Sequence, residues 1–433
     1  MKVYQNLNPS DCSTVLQRPA MDTTVLFDSV RSILKDIREN RDEAVKRYAK
    51  EFDKTDFDDF EVTEEEFDAA EKQLDDNLKT AILTAKANIE TFHKHQKSAV
   101  EIVETMSGVS CWRKSVGIEK VGLYVPGGTA PLFSTVLMLG IPAQIAGCQE
   151  VVLCSPPSVM DPILGEKQIH PAVLFAAKSC GIKKVIKLGG VQAIGAMAYG
   201  TKSVPQVWKI FGPGNQYVTA AKQLVNTEGV AIDMPAGPSE VLVIADETAN
   251  PDFIAADLLS QAEHGIDSQV VLLALSEAFI NRTLQSIEKQ LLELPRADIA
   301  RESLKNSVAL VVENTDEAMS VSNYYAPEHL ILQTADADIL SEKVTNAGSV
   351  FIGHWSPESV GDYASGTNHT LPTNGFARAY SGVSLDSFVK KITFQRLDTE
   401  GVKNLGKTVI AMAEAEQLQA HARAVSIRLD TLN

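Results

Sequence analysis

The nine residues from Gly361 to His369, GDYASGTNH, gather a carboxylate, hydroxyls, an amide and an imidazole. Two of the nine are glycines, which let the backbone bend. Almost nothing in the segment is apolar enough to bury. A stretch so poor in core residues reads as a loop kept for its chemistry. Asp362 and His369 are its groups for holding a metal or moving a proton. A plain surface turn would have the same composition, so the rest of the chain must decide.

Other polar groups recur at telling spacings. In LLSQAEHG, Gln261 and His264 are three apart, so on a helix they share one face, and Gly265 is placed to end that helix. Both could point at one ion, although a polar pair at a helix end reads the same way. APEHL sets Glu328 beside His329 after a helix-breaking proline. Neighbours on an extended backbone point to opposite sides unless a turn unites them. Carboxylate and imidazole are the usual proton handlers near neutral pH, and two of them suit two different proton transfers. Near the C-terminus, Glu416 and His421 lie five apart among Ala and Leu, which suggests an interface. His93 and His95 fall on an amphipathic helix and read as solvent-facing, His170 falls in a loop-like stretch, and His354 takes no role.

Four Gly-rich turns adjoin β-rich runs: YVPGG (124–128), LGGVQAIG (188–195), FGPGN (211–215) and DMPAGPSE (233–240). Glycine there lets backbone N–H groups approach a phosphate. The dinucleotide fingerprint GxGxxG is absent. GPGNQY comes nearest, but Tyr217 stands where the third glycine should be. A nucleotide would therefore be held without the usual strand–turn–helix grip.

The elements that must position these groups follow from periodicity. Residues up to about 100 read as helical, with Thr63 and Glu66 forming a capping box. From about 119, short β-rich runs alternate with Ala-rich helical stretches, the pattern of parallel sheets covered by helices. Two α/β domains are expected: an inserted one over 124–238, and a second built from 26–123 and 239–385. An extension over 1–25 precedes them. The tail over 386–433 reads as helical, its last helix running from about Thr408 to Leu429. A chain of 433 residues is long enough for two or three cores. Its formal net charge of −16 disfavours nucleic acid or an anionic membrane as partner. No run approaches the roughly 18 apolar residues of a membrane span. Five cysteines without CxxC spacing read as free thiols in a reducing compartment, here the cytoplasm.

Taken together, YVPGGTAPLFSTVLML, FGPGN, IDMPAGPSEVLVIAD, DLLSQAEHG, APEHL, SPESVGDYASGTNHTLPT and the tail with Glu416 and His421 closely resemble the histidinol dehydrogenase family, in order and spacing over nearly the whole chain. The resemblance implies two incomplete Rossmann-like (aldehyde-dehydrogenase-like) domains with parallel sheets, plus helical N- and C-terminal extensions. It implies oxidation of L-histidinol through L-histidinal to L-histidine, with NAD as acceptor and one Zn2+ per subunit. By the same resemblance Gln261, His264, Asp362 and His421 are the zinc ligands, and Glu328 and His329 the catalytic pair. Ser239 and Glu416 contact substrate, together with the ligand residues and His329. Tyr124, Gln192 and Asn215 contact NAD. The inserted domain becomes the NAD domain, and the other carries substrate and metal. The family also implies a homodimer in which each tail completes the partner's site. One departure is a longer stretch around GEKQIHP, which reads as a surface insertion.

Two rival readings use the same residues. A related NAD-linked alcohol dehydrogenase for another polar alcohol would not need Ser239, Glu416 and His421. A zinc hydrolase with Glu328 as water activator would not need Tyr124, Gln192 and Asn215.

Overall fold

The computed structural model describes residues 1–5, 12–19, 24–127, 131–160 and 167–432. The last glycine of YVPGG, the start of GEKQIHP and parts of the 1–25 extension lie outside these residues.

Two all-parallel sheets organise the chain. The first runs Ala231–Ile232, Lys209–Phe211, Lys120–Tyr124, Glu150–Cys154, Lys184–Ile186 in spatial order. The second runs Lys2–Gln5, Val308–Val311, Gln269–Ala274, Glu240–Ala245, His329–Gln333, Ser349–Ile352. Every residue of the three central strands of the second sheet is buried. A parallel sheet is covered on both faces, which is why EVLVIA and QVVLLA read as unbroken apolar runs rather than as alternation. In the first sheet the chain begins in the middle at Lys120–Tyr124, moves to one side, then crosses to the other at Lys209–Phe211. The two loops leaving these adjacent strands therefore open a crevice at their carboxyl ends, the place where such sheets bind ligands. Gly212 lines this crossing at φ +122°, and a Cβ there would stand 2.0 Å from the carbonyl oxygen of Tyr124.

Several expectations change. The helices Thr24–Tyr48, Glu64–Gln73 and Asp76–Lys94 pack mainly on the first sheet and its helices, the last also reaching the 361–369 segment through Asn88, which donates to the Ala364 carbonyl. Val30, Leu34 and Ile37 share a core with Ile186 and Ile194, and Ile82 and Ile89 share one with Val121 and Leu123. The first sheet has two faces to cover, and these early helices complete that cover. The N-terminal extension is not wholly helical, because Lys2–Gln5 forms the edge strand of the second sheet. The tail is not wholly helical either. Val389–Leu397 pairs antiparallel with Val109–Gly117, which pairs with Ile102–Met106. Two helices follow, Thr399–Ala415 and Gln419–Asp430, where one had been expected. Between them Gln417 adopts φ +61° and the Leu418 N–H bonds back to the Ala413 carbonyl, closing the first helix. The capping box forms as read, with Thr63 and Glu66 each satisfying the other's backbone N–H. His93 is fully buried rather than solvent-facing, and its Nδ1 meets Gln96 Oε1 at 3.0 Å. His170 caps the helix Pro171–Ser179 by accepting from the Ala172 N–H. Within GEKQIHP, Lys167–Gln168 pairs with Val159–Met160 as a small antiparallel ribbon.

Replacing Gly212 with alanine is expected to destabilise the protein by at least about 1–3 kcal/mol, the range for a non-glycine residue forced into strained backbone. Urea unfolding measures this, and wild-type stability in the variant would contradict the tight crossing at Tyr124.

Candidate active site

The site lies at the amino-terminal edge of the second sheet. The helix Thr315–Tyr325 ends at Ala326, which takes a left-handed conformation, and Pro327 prevents its continuation. Glu328 and His329 then lead into the strand His329–Gln333, both buried at 6% and 3% exposure. The turn brings the two side chains together, with His329 Nδ1 3.6 Å from Glu328 Oε2. The backbone of one residue, Glu240, clamps both. The Glu240 N–H donates to Glu328 Oε2 at 2.8 Å, and the Glu240 carbonyl oxygen lies 3.1 Å from His329 Nδ1. Gln261 Nε2 approaches the same Nδ1 at 2.9 Å. Nδ1 thus finds an acceptor when protonated and a donor when bare, so the ring is supported in either state. His329 Nε2 has no hydrogen-bond partner and stands 3.4 Å from Asp362 Oδ1.

Gln261 sits in the last turn of the helix Pro251–Ala262 and is 1% exposed. The helix ends before His264, so the two do not share a helix face: Gln261 points into the protein and His264 is exposed beyond the end. His264 still lies within electrostatic reach of Asp362, His329 and His369. Asp362 belongs to the short helix Glu358–Tyr363 rather than to a loop. Gly361 on that helix lies against the Phe351 ring, where a Cβ would come within 2.5 Å, and Phe351 in turn flanks the His329 ring. His369 is committed to protein partners, with Nδ1 2.8 Å from the Asp362 carbonyl and Nε2 3.0 Å from Thr135 Oγ1.

The compact group of candidate metal ligands among the described residues is His329, Glu358 and Asp362, with one donor atom from each lying within 4.8 Å of the others. Only Asp362 belongs to the expected ligand set. Three atoms at this point are buried without a partner: Gln261 Oε1, Glu358 Oε2 and His329 Nε2. Burial raises the pKa of Glu358 well above the carboxylate range and that of Glu328 to about 8. Burial also opposes charge on His329, but Glu358, Glu328 and Asp362 together outweigh it and hold its pKa well above the ordinary imidazole value. At Asp362 burial is likewise outweighed, by His329, and the pKa falls. Clustered carboxyls and orphaned oxygen and nitrogen donors with no thiolate fit a divalent cation of the zinc class.

Beside this group lies a cleft of about 870 Å³ between the two sheets. Its walls include Asn215 from the first sheet's side and Ser239, His264, Arg18 and Tyr325 from the second's. Asn215 caps the helix Gln216–Thr227, its Oδ1 accepting from the N–H groups of Tyr217 and Val218. Tyr124 is buried, and its hydroxyl accepts from the Gly190 N–H at 3.1 Å. Gln192 is also buried, and its Nε2 donates to Asp53 Oδ2 at 3.0 Å. Tyr124 and Gln192 therefore organise the start of the helix Gly190–Tyr199 rather than standing free.

Glu416 and His421 are not brought to this site. Both are exposed on the tail, whose two helices pack mainly on each other. Reasoning from sequence missed Glu358, Glu240 and Arg18. Arg18 pairs with the Glu240 carboxylate at 2.5 and 2.8 Å and lies over the Tyr325 ring. A signal was available for Glu240, a charged residue opening the wholly apolar run VLVIA.

Two parallel sheets meeting at a cleft, with a buried Glu–His pair and a carboxylate cluster at the amino-terminal edge of the second, define a two-sheet α/β protein of Rossmann-like type. The family model described as histidinol dehydrogenase matches residues 16–429, and the chain belongs to that family. It is 57% identical to the histidinol dehydrogenase of Bacteroides thetaiotaomicron over 432 residues, covering 100% of both chains. It is 53% identical to that of Photobacterium profundum, covering 99% of this chain and 96% of the relative. The crystal structure of histidinol dehydrogenase from Elizabethkingia anophelis superposes with a TM-score of 0.97 at 53% identity, covering 100% of this chain and 99% of that one.

The raised pKa of Glu328 has a consequence for stability. An unfolded glutamic acid titrates near ~4.3, so between there and about 8 the unfolded chain is ionised while folded Glu328 keeps its proton. The cost to the folded state is absent below about pH 4, grows as pH rises and levels off above about 8. In metal-free protein, Glu328→Gln is expected to be more stable than wild type by roughly 2–4 kcal/mol at pH 9, with the difference vanishing near pH 4. Paired urea melts at the two pH values check this, and a difference independent of pH would rule it out.

Proposed function

We propose that this chain is a zinc-dependent, NAD-linked enzyme that oxidises L-histidinol through L-histidinal to L-histidine in histidine biosynthesis. The observation that carries this reading is the cleft between the sheets. It joins the helix start at Asn215, on the crevice side of the first sheet, to Ser239 and His264 beside the Glu328–His329 pair. Family membership supplies the reaction. Asn215, with Tyr124 and Gln192 behind it, would serve NAD.

Gln261, His264 and Asp362 would hold zinc, with His421 as fourth ligand. When bound, zinc supplies a positive charge that orients the substrate's imidazole and amine, and NAD accepts each hydride. His329 removes the hydroxyl proton of histidinol as the carbinol hydride departs, giving the aldehyde. Its imidazolium is then stabilised by the surrounding carboxylates. Glu328 takes a proton from the water that adds to the aldehyde, and the resulting hydrate loses the second hydride to become the acid. Ser239 in the cleft wall and Glu416 would contact the substrate. Holding the aldehyde between the two steps protects a reactive intermediate. Cys111, Cys148, Cys154 and Cys180 are free thiols, in keeping with a cytoplasmic enzyme.

The tail supports a dimer. Ile102, Val103, Ile392, Phe394, Met412 and Ile427 expose apolar surface on the three-stranded sheet and tail helices. A C2 pair that exchanged tails would cover apolar surface and carry His421 and Glu416 to the other subunit's site.

NADH production from L-histidinol, abolished by a chelator and restored by zinc, tests the reading. Production unaffected by stripping the metal would remove zinc from it. His329→Gln is expected to slow oxidation of histidinol, and Glu328→Gln mainly that of histidinal, each by about 10²–10⁴-fold. Equal losses on both substrates in both variants would argue against divided roles. For the dimer, mixing inactive His264→Ala chains with inactive His421→Ala chains is expected to restore part of the activity. One site of the mixed dimer then has every wild-type ligand. If subunits exchange and no activity returns, the tail serves its own subunit.

A further inference from the structure

We infer that Glu358 is a positioning residue that fixes the side-chain amide of Gln261 so that its carbonyl oxygen, not its nitrogen, faces the metal site. The inference rests on the reading of Gln261 as a zinc ligand and goes beyond it, since Glu358 has no part in that ligand set.

A glutamine amide is a hazardous metal ligand. Its oxygen can coordinate a cation, but its NH2 cannot, and the two ends have the same shape. A rotation by half a turn about the last torsion exchanges them. A site that depends on the oxygen needs something to hold the amide one way round. In this structure the Gln261 nitrogen lies 2.5 Å from Glu358 Oε1 and 2.9 Å from His329 Nδ1. Its oxygen has no partner at all, although the residue is 1% exposed. Glu358 Oε1 accepts from the amide whether the group is ionised or carries its proton on the unpartnered Oε2, and a bare carboxyl oxygen cannot donate, so it selects the NH2 end. Turning the amide over would set its oxygen against the carboxylate oxygen. On its other side the nitrogen lies beside His329 Nδ1, which accepts from the amide when that ring nitrogen is bare, while the oxygen is left for a cation.

The backbone places Glu358 for this task. Pro357 sits at the helix N-cap, and Glu358 is the first residue of the helix that also carries Asp362, one turn on. One short helix thereby supplies both a proposed ligand and the group that orients a second ligand from the helix Pro251–Ala262. Outer carboxylates that fix inner ligands are typically worth about 10–100-fold in metal affinity. The alternative is that Glu358 itself coordinates, because its Oε2 is also unpartnered and it falls in the compact group with His329 and Asp362.

A double-mutant cycle on zinc affinity separates these cases. Metal-free wild type, Glu358→Ala, Gln261→Ala and the double variant are titrated with zinc against a chromophoric chelator, and the thermal midpoint of each metal-free protein is recorded. Glu358→Ala is expected to weaken zinc binding about 10–100-fold. Glu358→Gln keeps an acceptor oxygen and should recover part of that loss. In the Gln261→Ala background, Glu358→Ala should cost nothing further, since there is no amide left to orient. The metal-free Glu358→Ala protein should melt no lower than wild type, because a buried carboxylate with one unpartnered oxygen has been removed. Losses that add in the double variant would make Glu358 a ligand and overturn the inference. Wild-type affinity in Glu358→Ala, with reduced affinity in Gln261→Ala, would overturn it while leaving the ligand reading intact. Wild-type affinity in Gln261→Ala would instead defeat the ligand reading on which it stands.

Discussion

The backbone of Glu240 holds both proton-handling side chains, its N–H bound to Glu328 and its carbonyl beside the imidazole of His329. This contact exists because two buried strands lie side by side in a fixed register, with Val241 opposite His329. A slip of one residue would turn every side chain of a strand to the other face and separate the clamp from its pair. The register is in turn enforced by burial, since each residue of both strands is inside the protein. The site's geometry is thus an outcome of packing the core of the second sheet. The Glu240 side chain is held just as firmly, by Arg18 on one side and the backbone N–H of Asn374 on the other. Arg18 also reaches the Tyr325 carbonyl, which ties the N-terminal segment to the end of the helix that delivers Glu328.

The two sheets use opposite ends. The first presents the carboxyl ends of its strands to the cleft, where loops are free and helix N-termini favour anions. The second presents amino ends, where the chain arrives from helix C-termini. Gln261 and His264 come from one such terminus, and Glu328 and His329 follow another. A helix C-terminus favours cations, so this edge suits a metal and a protonated imidazole better than a phosphate. The polarity of the two edges therefore matches an anionic cofactor on one side and a cation on the other.

Much of this was legible in the sequence. Runs such as EVLVIA and QVVLLAL announced buried strands, and the capping box at Thr63 announced a helix start, because these signals are local. The pairing of Glu328 with His329 was legible as a motif, although the turn that unites them depends on Ala326 taking φ +54°, which composition does not signal. Errors came where position depends on distant partners. His93 sits among Lys and Gln, and only the packing of its helix buries it. Val389–Leu397 becomes a strand because Val109–Gly117 lies beside it, and Lys2–Gln5 because Val308–Val311 has a free edge. Glu358 escaped notice because its partner Gln261 lies 97 residues away.

The tail follows a different physical logic from the rest of the site. Glu328, His329, Gln261 and Asp362 are fixed by burial within one chain, and their mutual distances are set before any ligand arrives. Glu416 and His421 are exposed and flank a break at Gln417, on helices anchored to the three-stranded sheet rather than to the buried site. In the proposed dimer a second copy would bring them to the site. On that proposal the buried part of the site would be a property of folding and the rest a property of association. Affinity for a shared metal would then depend on protein concentration, since only the assembled pair holds every ligand.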